Sequence, residues 1–229
     1  GRGWDQNDWE IKEFPTKEKL DKLFPTIPVA VGRVDGHALL VNQAAIDLSG
    51  ITKDTKISGG EIILKNGKMT GILIDSAMDF IKFPETSSQA AKKGLLAAQK
   101  ISFSYGLTTV DDAGLDRNTI ELIDDLQESN ELKIRVYAMV SADNQAQIDY
   151  YIKKGITKTN RLHVSSFKVY GDGALGSRGA AMRKPYSDRE NHFGALIYSP
   201  ERYQEIARQI AASEFQMNTH AIGDSANTW

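Results

Sequence analysis

From about residue 86 the apolar positions switch repeatedly between helical spacing and short β-like runs, the pattern of βα units feeding a parallel sheet. "TSSQAAKKGLLAAQKISFSYG" opens on Thr/Ser capping candidates, carries Ala and Leu at helical intervals and stops at Gly106. "LTTV" follows as a strand. "DRNTIELIDDLQESN" reads as a helix opened by Asp116 or Asn118, and "KIRVYAMV" as the next strand. "NQAQIDYYIKKG" is a helix closed by Gly155, and "RLHVSSFKVYG" a longer strand. "SPERYQEIARQIAASE" starts on a Ser-Pro cap, and "FQMNTHAIG" supplies one more strand. Before residue 86 the pattern differs. "GGEIILKNGKMTGILIDSA" holds two β-like runs around Asn66-Gly67, a strong hairpin signal, and "IPVAVGRVDGHALLVN" precedes it. The expected organisation is an early segment over 1–85, with a hairpin inserted over one end of the sheet, and βα units over 86–229, together one α/β domain.

In parallel α/β folds the active site lies at the carboxyl ends of the strands, so the polar residues there matter most. Asp35 and His37 follow "VAVGRV", Asp111 and Asp112 follow "LTTV", and Ser141 and Asp143 follow "VYAMV". Lys168 and Asp172 end one strand, His220 and Asp224 another. Carboxylate, histidine and lysine on one rim suit metal-assisted hydrolysis or general acid-base work. An Asp after a strand equally serves as a helix cap or turn residue, which is the plain alternative for Asp111, Asp143 and Asp224. Lys168 interrupts an apolar strand, where an unpaired ammonium is costly, although its parity also allows it to face solvent. His220 alone could be a structural histidine, and His163 and His192 read as structural or surface residues. In "GRVDGH", Gly36 lets the chain turn tightly before His37. "GDGALG", residues 171 to 176, matches a dinucleotide-binding turn, but Gly179, Pro185 and polar turn residues stand where the phosphate-binding helix should run.

Composition changes this picture only by exclusion. The 229 residues suffice for one large α/β domain or two small ones, and 28 basic against 30 acidic side chains give no electrostatic footprint for nucleic acid or an anionic membrane. No apolar run reaches the length of a membrane span, and "GRGWDQNDWE" lacks the features of a signal peptide. With no cysteine, thiolate metal sites and cysteine nucleophiles are excluded, so a metal would need His, carboxylate or a modified lysine. The compartment stays open, with a lean to the cytoplasm.

"GRGWDQNDW", "PVAVGRVDGHALLVNQAA", "GLTTVDDAG", "FKVYGDGALGSRGAAM" and "THAIGDSANTW" together resemble, in order and spacing, the YtcJ-like branch of the amidohydrolase superfamily, which includes N-substituted formamide deformylases. The resemblance implies metal-dependent hydrolysis of amide or formamide-like C–N bonds in a small-molecule substrate, on a (β/α)8 TIM-type barrel with an added β-sandwich. It implies a divalent metal, zinc by preference, with His220 as a ligand and Lys168 at the position that several branches carboxylate to bridge metals. It places Asp172 and His37 on the catalytic rim, Ser177 and Arg178 in a loop beside the pocket, and Trp4, Asp5 and Trp9 in an aromatic loop at its mouth. The superfamily's H-x-H is absent, since no two of the four histidines are so spaced. The resemblance therefore implies an internal fragment: a partial barrel with an inserted hairpin, lacking the N-terminal β-sandwich and the last strands. Such a fragment is expected to bind metal poorly, to show little activity and to self-associate through unpaired sheet edges. The alternative is a non-catalytic α/β domain that holds a small ligand.

Overall fold

The computed structural model describes residues 1–83 and 86–228 and falls into two compact units. The boundary expected at residue 85 lies outside the described residues. The first unit contains residues 1–83, then 170–200, then the chain from Ala221 on. The second extends to Val169 and includes Glu201–His220.

The first unit opens with β1 (Arg2–Trp4), α1 (Glu18–Leu23), β2 (Ala30–Arg33), β3 (Ala38–Val41), α2 (Gln43–Ser49), β4 (Gly60–Lys65) and β5 (Lys68–Asp75). Asn42 caps α2 through its side chain, which accepts from Ala45 N, and Gly50 ends the helix in the left-handed region at φ 71°. β4 and β5 form the hairpin that the sequence announced. Asn66 at φ 53° and Gly67 at φ 72° supply the two left-handed residues that a tight antiparallel turn requires. The hairpin pairs with none of the strands of the later βα sheet. It joins β1, β2 and β3 in a separate five-stranded sheet of order β1-β2-β3-β5-β4. The reason is the alternating apolar face of Leu39, Val41 and Leu73, which closes a core with Ala45, Ile46 and Ile51 beside α2.

The second unit contains α3 (Ser88–Ser104), β6 (Thr109–Leu115), α4 (Arg117–Glu128), β7 (Arg135–Ser141), α5 (Gln145–Lys154), β8 (Thr157–Lys158), β9 (Leu162–Tyr170), α6 (Pro200–Ala211) and β10 (Gln216–His220). The strand order is β10-β9-β7-β6, with β8 antiparallel to β9. β6, β7 and β9 run parallel, as the βα pattern predicted. The sheet is open among the described residues, ending at β6 on one side and β10 on the other. Asp116, not Asn118, caps α4 by accepting from Thr119 N, and Asn144 caps α5 from Gln147 N. Ile120 and Ile123 of α4, Ile148 of α5 and Ile206 and Ile210 of α6 are buried, as are Leu162, Val164, Phe167 and Val169 of β9. Each such side chain contributes about 1.5–3 kcal/mol by leaving water. α3 buries none of its side chains fully, although its spacing promised an apolar stripe.

Candidate functional site

Within the second unit, β7 alternates strictly: Val136, Ala138 and Val140 are buried, while Tyr137, Met139 and Ser141 face the other side half-buried. β9 cannot alternate strictly, because its buried apolar residues fall at 162, 164, 167 and 169, with a gap of three in the middle. The register shows how the chain resolves this. Tyr137 is opposite His163 but Met139 is opposite Ser166, so one extra residue bulges out of β9 between them. Tyr137 Oη lies 2.8 Å from Ser166 Oγ and fastens the bulge. Beyond it Lys168 pairs with Ser141 on the half-buried face, whereas strict alternation from His163 would have turned it toward the apolar core. Burial lowers the Lys168 ammonium below the usual lysine range. β10 lies beside β9 and ends at His220.

Other rim candidates have simpler places. Asp111 and Asp112 lie inside β6 rather than after it, on the exposed end strand of the sheet. Asp143 accepts from Asn144 Nδ2 at 3.0 Å, and Asp224 accepts from Arg183 N at 2.8 Å as a turn residue. His163 sets its ring edge-on to Tyr137 at 5.3 Å, and His192 Nε2 lies 2.8 Å from the Arg178 carbonyl.

Within the first unit, the most elaborate construction surrounds a residue the sequence reading passed over. His37 Nδ1 lies 2.7 Å from Asp75 Oδ1. The imidazole is raised above the ordinary histidine range, chiefly by that hydrogen bond, with further attraction from Asp35 and Asp172 and burial opposing it. The Asp75 carboxylate occupies the space where a Cβ on Gly173 or Gly179 would stand, 2.2 and 1.9 Å from Oδ2. Of the glycines that mimic a nucleotide-binding turn, Gly173 thus makes room for this carboxylate, whereas a Cβ on Gly176 would meet the Arg33 guanidinium 2.8 Å away. Nothing in the spacing of "GDGALGSRGA" names the residues they accommodate.

Asp172 is fully buried, and main-chain N–H groups surround it. Ala181 N donates to Oδ2 at 2.8 Å, Gly223 N to Oδ2 at 2.7 Å and Ile222 N to Oδ1 at 2.9 Å. A carboxylate so engaged ties three chain segments together. Arg33, also missed by the sequence reading, is buried with its guanidinium bonded to Gln6 at 2.9 Å, to Asp5 at 2.8 Å and to Asp35. Its charge is offset on the spot, as a buried cation requires.

The five residues expected to touch substrate have internal partners. Trp4 lies in β1, donates from Nε1 to Val31 O at 2.8 Å and stacks on Trp9 with centroids 6.1 Å apart. Asp5 pairs with Arg33 and caps a short 3-10 turn. Ser177 is buried and donates to Ala174 O at 3.2 Å. Arg178 forks onto Asp188, with its closest contact at 2.7 Å, and lies over the Phe14 ring.

A catalytic zinc usually takes three protein ligands besides water. Among the described residues no group of three or more His, Asp or Glu is close enough to hold a metal ion. Lys168 and His220, on neighbouring strands, make at most a partial donor set, so the residues present do not by themselves fit a catalytic metal.

The sequence profile of the amidohydrolase family matches residues 1–228, and the chain belongs to that family. Within it the chain falls in the YtcJ-like branch. It is 29% identical over 235 residues to the putative amidohydrolase YtcJ of Bacillus subtilis, covering 99% of this chain and 44% of that protein. It is 31% identical to the protein LONG AFTER FAR-RED 3 of Arabidopsis thaliana, covering 99% of this chain and 41% of the relative. To the N-substituted formamide deformylase of Arthrobacter pascens it is 24% identical, over 93% of this chain and 41% of that enzyme. A crystal structure of an uncharacterized metal-dependent hydrolase from Pyrococcus horikoshii OT3 superposes on the whole chain with a TM-score of 0.67 and 25% identity, covering 45% of that protein. The chain therefore spans less than half the length of the curated relatives it matches. Among the described residues no helix is long and apolar enough to cross a membrane.

Proposed function

We propose that this chain is part of a metal-dependent hydrolase that cleaves an amide or formamide-like C–N bond of a small molecule, and that it contributes Lys168 and His220 to the site of a divalent metal, zinc by preference. Family membership and the likeness to proteins described as a metal-dependent hydrolase and an N-substituted formamide deformylase support the reaction class. The observation that carries the residue assignment is the pair of neighbouring strands, with Lys168 turned by the β9 bulge onto the half-buried face and His220 closing β10. Lys168 is suited to carboxylation as well. Its burial favours the neutral amine, which adds carbon dioxide to give a carbamate and releases one proton. Within the first unit, His37 and Asp172 are the catalytic candidates in this reading, His37 handling protons and Asp172 tying chain segments together. Trp4, Asp5, Trp9, Ser177 and Arg178 stay the candidates for substrate contact in this reading, each held in place by an internal partner.

Elemental analysis of the 229-residue chain beside a preparation extended to the length of its relatives tests the assignment. The shorter chain should carry close to no zinc, because its donor set is incomplete. The extended protein should carry metal and lose it in Lys168→Ala and His220→Ala, by more than the ~10–100-fold typical of outer-shell partners. Metal retained in both variants would sink the assignment, as would strong zinc-dependent amide hydrolysis by the 229-residue chain.

The second unit also offers a surface for another copy of the chain. β6 is the end strand of its sheet, and Ile101, Phe103, Tyr105 and Leu107 just before it are exposed. Strand edges with apolar flanks pair with other chains. Sedimentation velocity at tens of micromolar should show dimers or larger species; a single monomer boundary across the concentration range would count against this.

A further inference from the structure

Three unusual features of the first unit converge on one hydrogen bond. Asp75 ends β5 at φ 47° and ψ −123°, a backbone conformation that side chains rarely adopt and that costs roughly 1–3 kcal/mol. Gly173 and Gly179 leave no room for a Cβ because the Asp75 carboxylate fills the space. That carboxylate side chain is only 3% exposed, yet its Oδ1 is spent on the Nδ1 of His37, whose own side chain is 17% exposed. A purely structural tie would not need a strained residue and two forced glycines, since the main chain already joins the same two residues through Asp75 N to His37 O at 3.2 Å. Strain held by its surroundings and a buried carboxylate behind a partly accessible imidazole are features of an oriented acid-base pair.

We infer that Asp75 and His37 form a proton-transfer dyad, in which His37 Nε2 delivers a proton to the leaving nitrogen of the substrate and Asp75 acts through His37 as a positioning residue. The inference rests on the hydrolase reading above for the identity of the leaving group. As the C–N bond breaks, its electron pair goes to nitrogen and takes the proton from Nε2. The ring returns to the neutral state with its remaining proton on Nδ1, held by Asp75, which stays a carboxylate throughout, and a proton from water restores the imidazolium. The carboxylate serves in two ways: it selects the tautomer and it stabilises the imidazolium. The upward displacement of the His37 titration agrees with the second.

Long-range proton–nitrogen NMR on the 15N-labelled 229-residue chain reads the tautomer directly. The neutral His37 ring should carry its proton on Nδ1. In Asp75→Asn, which keeps the shape but can donate from its amide, the proton should move to Nε2. A wild-type ring protonated on Nε2, or a tautomer unchanged in Asp75→Asn, overturns the dyad. Kinetics of the extended protein on an N-formyl amine separate this from the hydrolase reading. Asp75→Asn should lower kcat by at least about 100-fold with KM within about 2-fold. Full kcat in that variant also overturns the dyad. No turnover of any amide by the wild type, with the tautomer moving as expected, would sink the hydrolase reading while upholding Asp75 as the residue that orients His37.

Discussion

Replacing Asp172 with alanine is expected to destabilise the first unit by about 4 kcal/mol or more, since a hydrogen bond to a charged group is worth about 1.5–3 kcal/mol and a buried donor left without a partner costs about 1–3 kcal/mol more. The carboxylate accepts from Ala181 N, Ile222 N and Gly223 N, and neither Ala181 nor Gly223 is open to solvent that could replace it. With a whole stability of about 5–15 kcal/mol typical of natural domains, that loss is a large share. Urea unfolding followed by tryptophan fluorescence suits the measurement, because Trp4 and Trp9 both lie in this unit. Asp172→Asn, which keeps one acceptor oxygen, should fall between alanine and wild type. An alanine variant with an unchanged unfolding midpoint would show that the three contacts do not act as a staple, and would return Asp172 to consideration as an acid or base.

Gly179→Ala should be nearly as damaging, through a different mechanism. The new Cβ would stand 1.9 Å from Asp75 Oδ2, so either the carboxylate or the loop must move, and overpacking of this kind costs about 1–3 kcal/mol before the His37 bond is counted. The expected loss is about 3 kcal/mol, together with loss of the Nδ1 tautomer of His37. A double-mutant cycle identifies the cause. Once Asp75→Ala has removed the carboxylate, Gly179→Ala should cost less than about 1 kcal/mol, a coupling well above the ~0.5 kcal/mol scatter of independent sites. Additive losses would mean that the glycine serves something other than Asp75.

The helices and strands from residue 86 onward were readable because their signals are local. Asp116 and Asn144 lie where helix caps belong, Gly155 ends α5, and the apolar residues of β7 alternate. The hairpin at Asn66-Gly67 was readable for the same reason, since two left-handed residues in a row specify the turn without help from the rest of the chain. Lys168 and His220 stood out as candidates by their positions near strand ends, and both lie where those strands finish. The bulge that aims Lys168 left a trace too, in the three-residue gap between Val164 and Phe167, but its fastening by Tyr137 needed the register of β7 against β9.

What the sequence determined by itself, then, was the order of the βα elements, their caps and turns, and through five ordered motifs the amidohydrolase family. Only the tertiary structure decided that the strands before residue 86 build a sheet of their own, that Asp172 is engaged by three main-chain donors, and that Asp75, not the "GDGALG" pattern itself, explains the glycines around it. The physical reason is distance along the chain. A cap or a turn is settled within four residues, whereas the partner of Asp75 is His37, and those of Asp172 extend to Gly223. Contacts of that span follow from how the sheets and loops pack, and leave no periodic mark on the sequence.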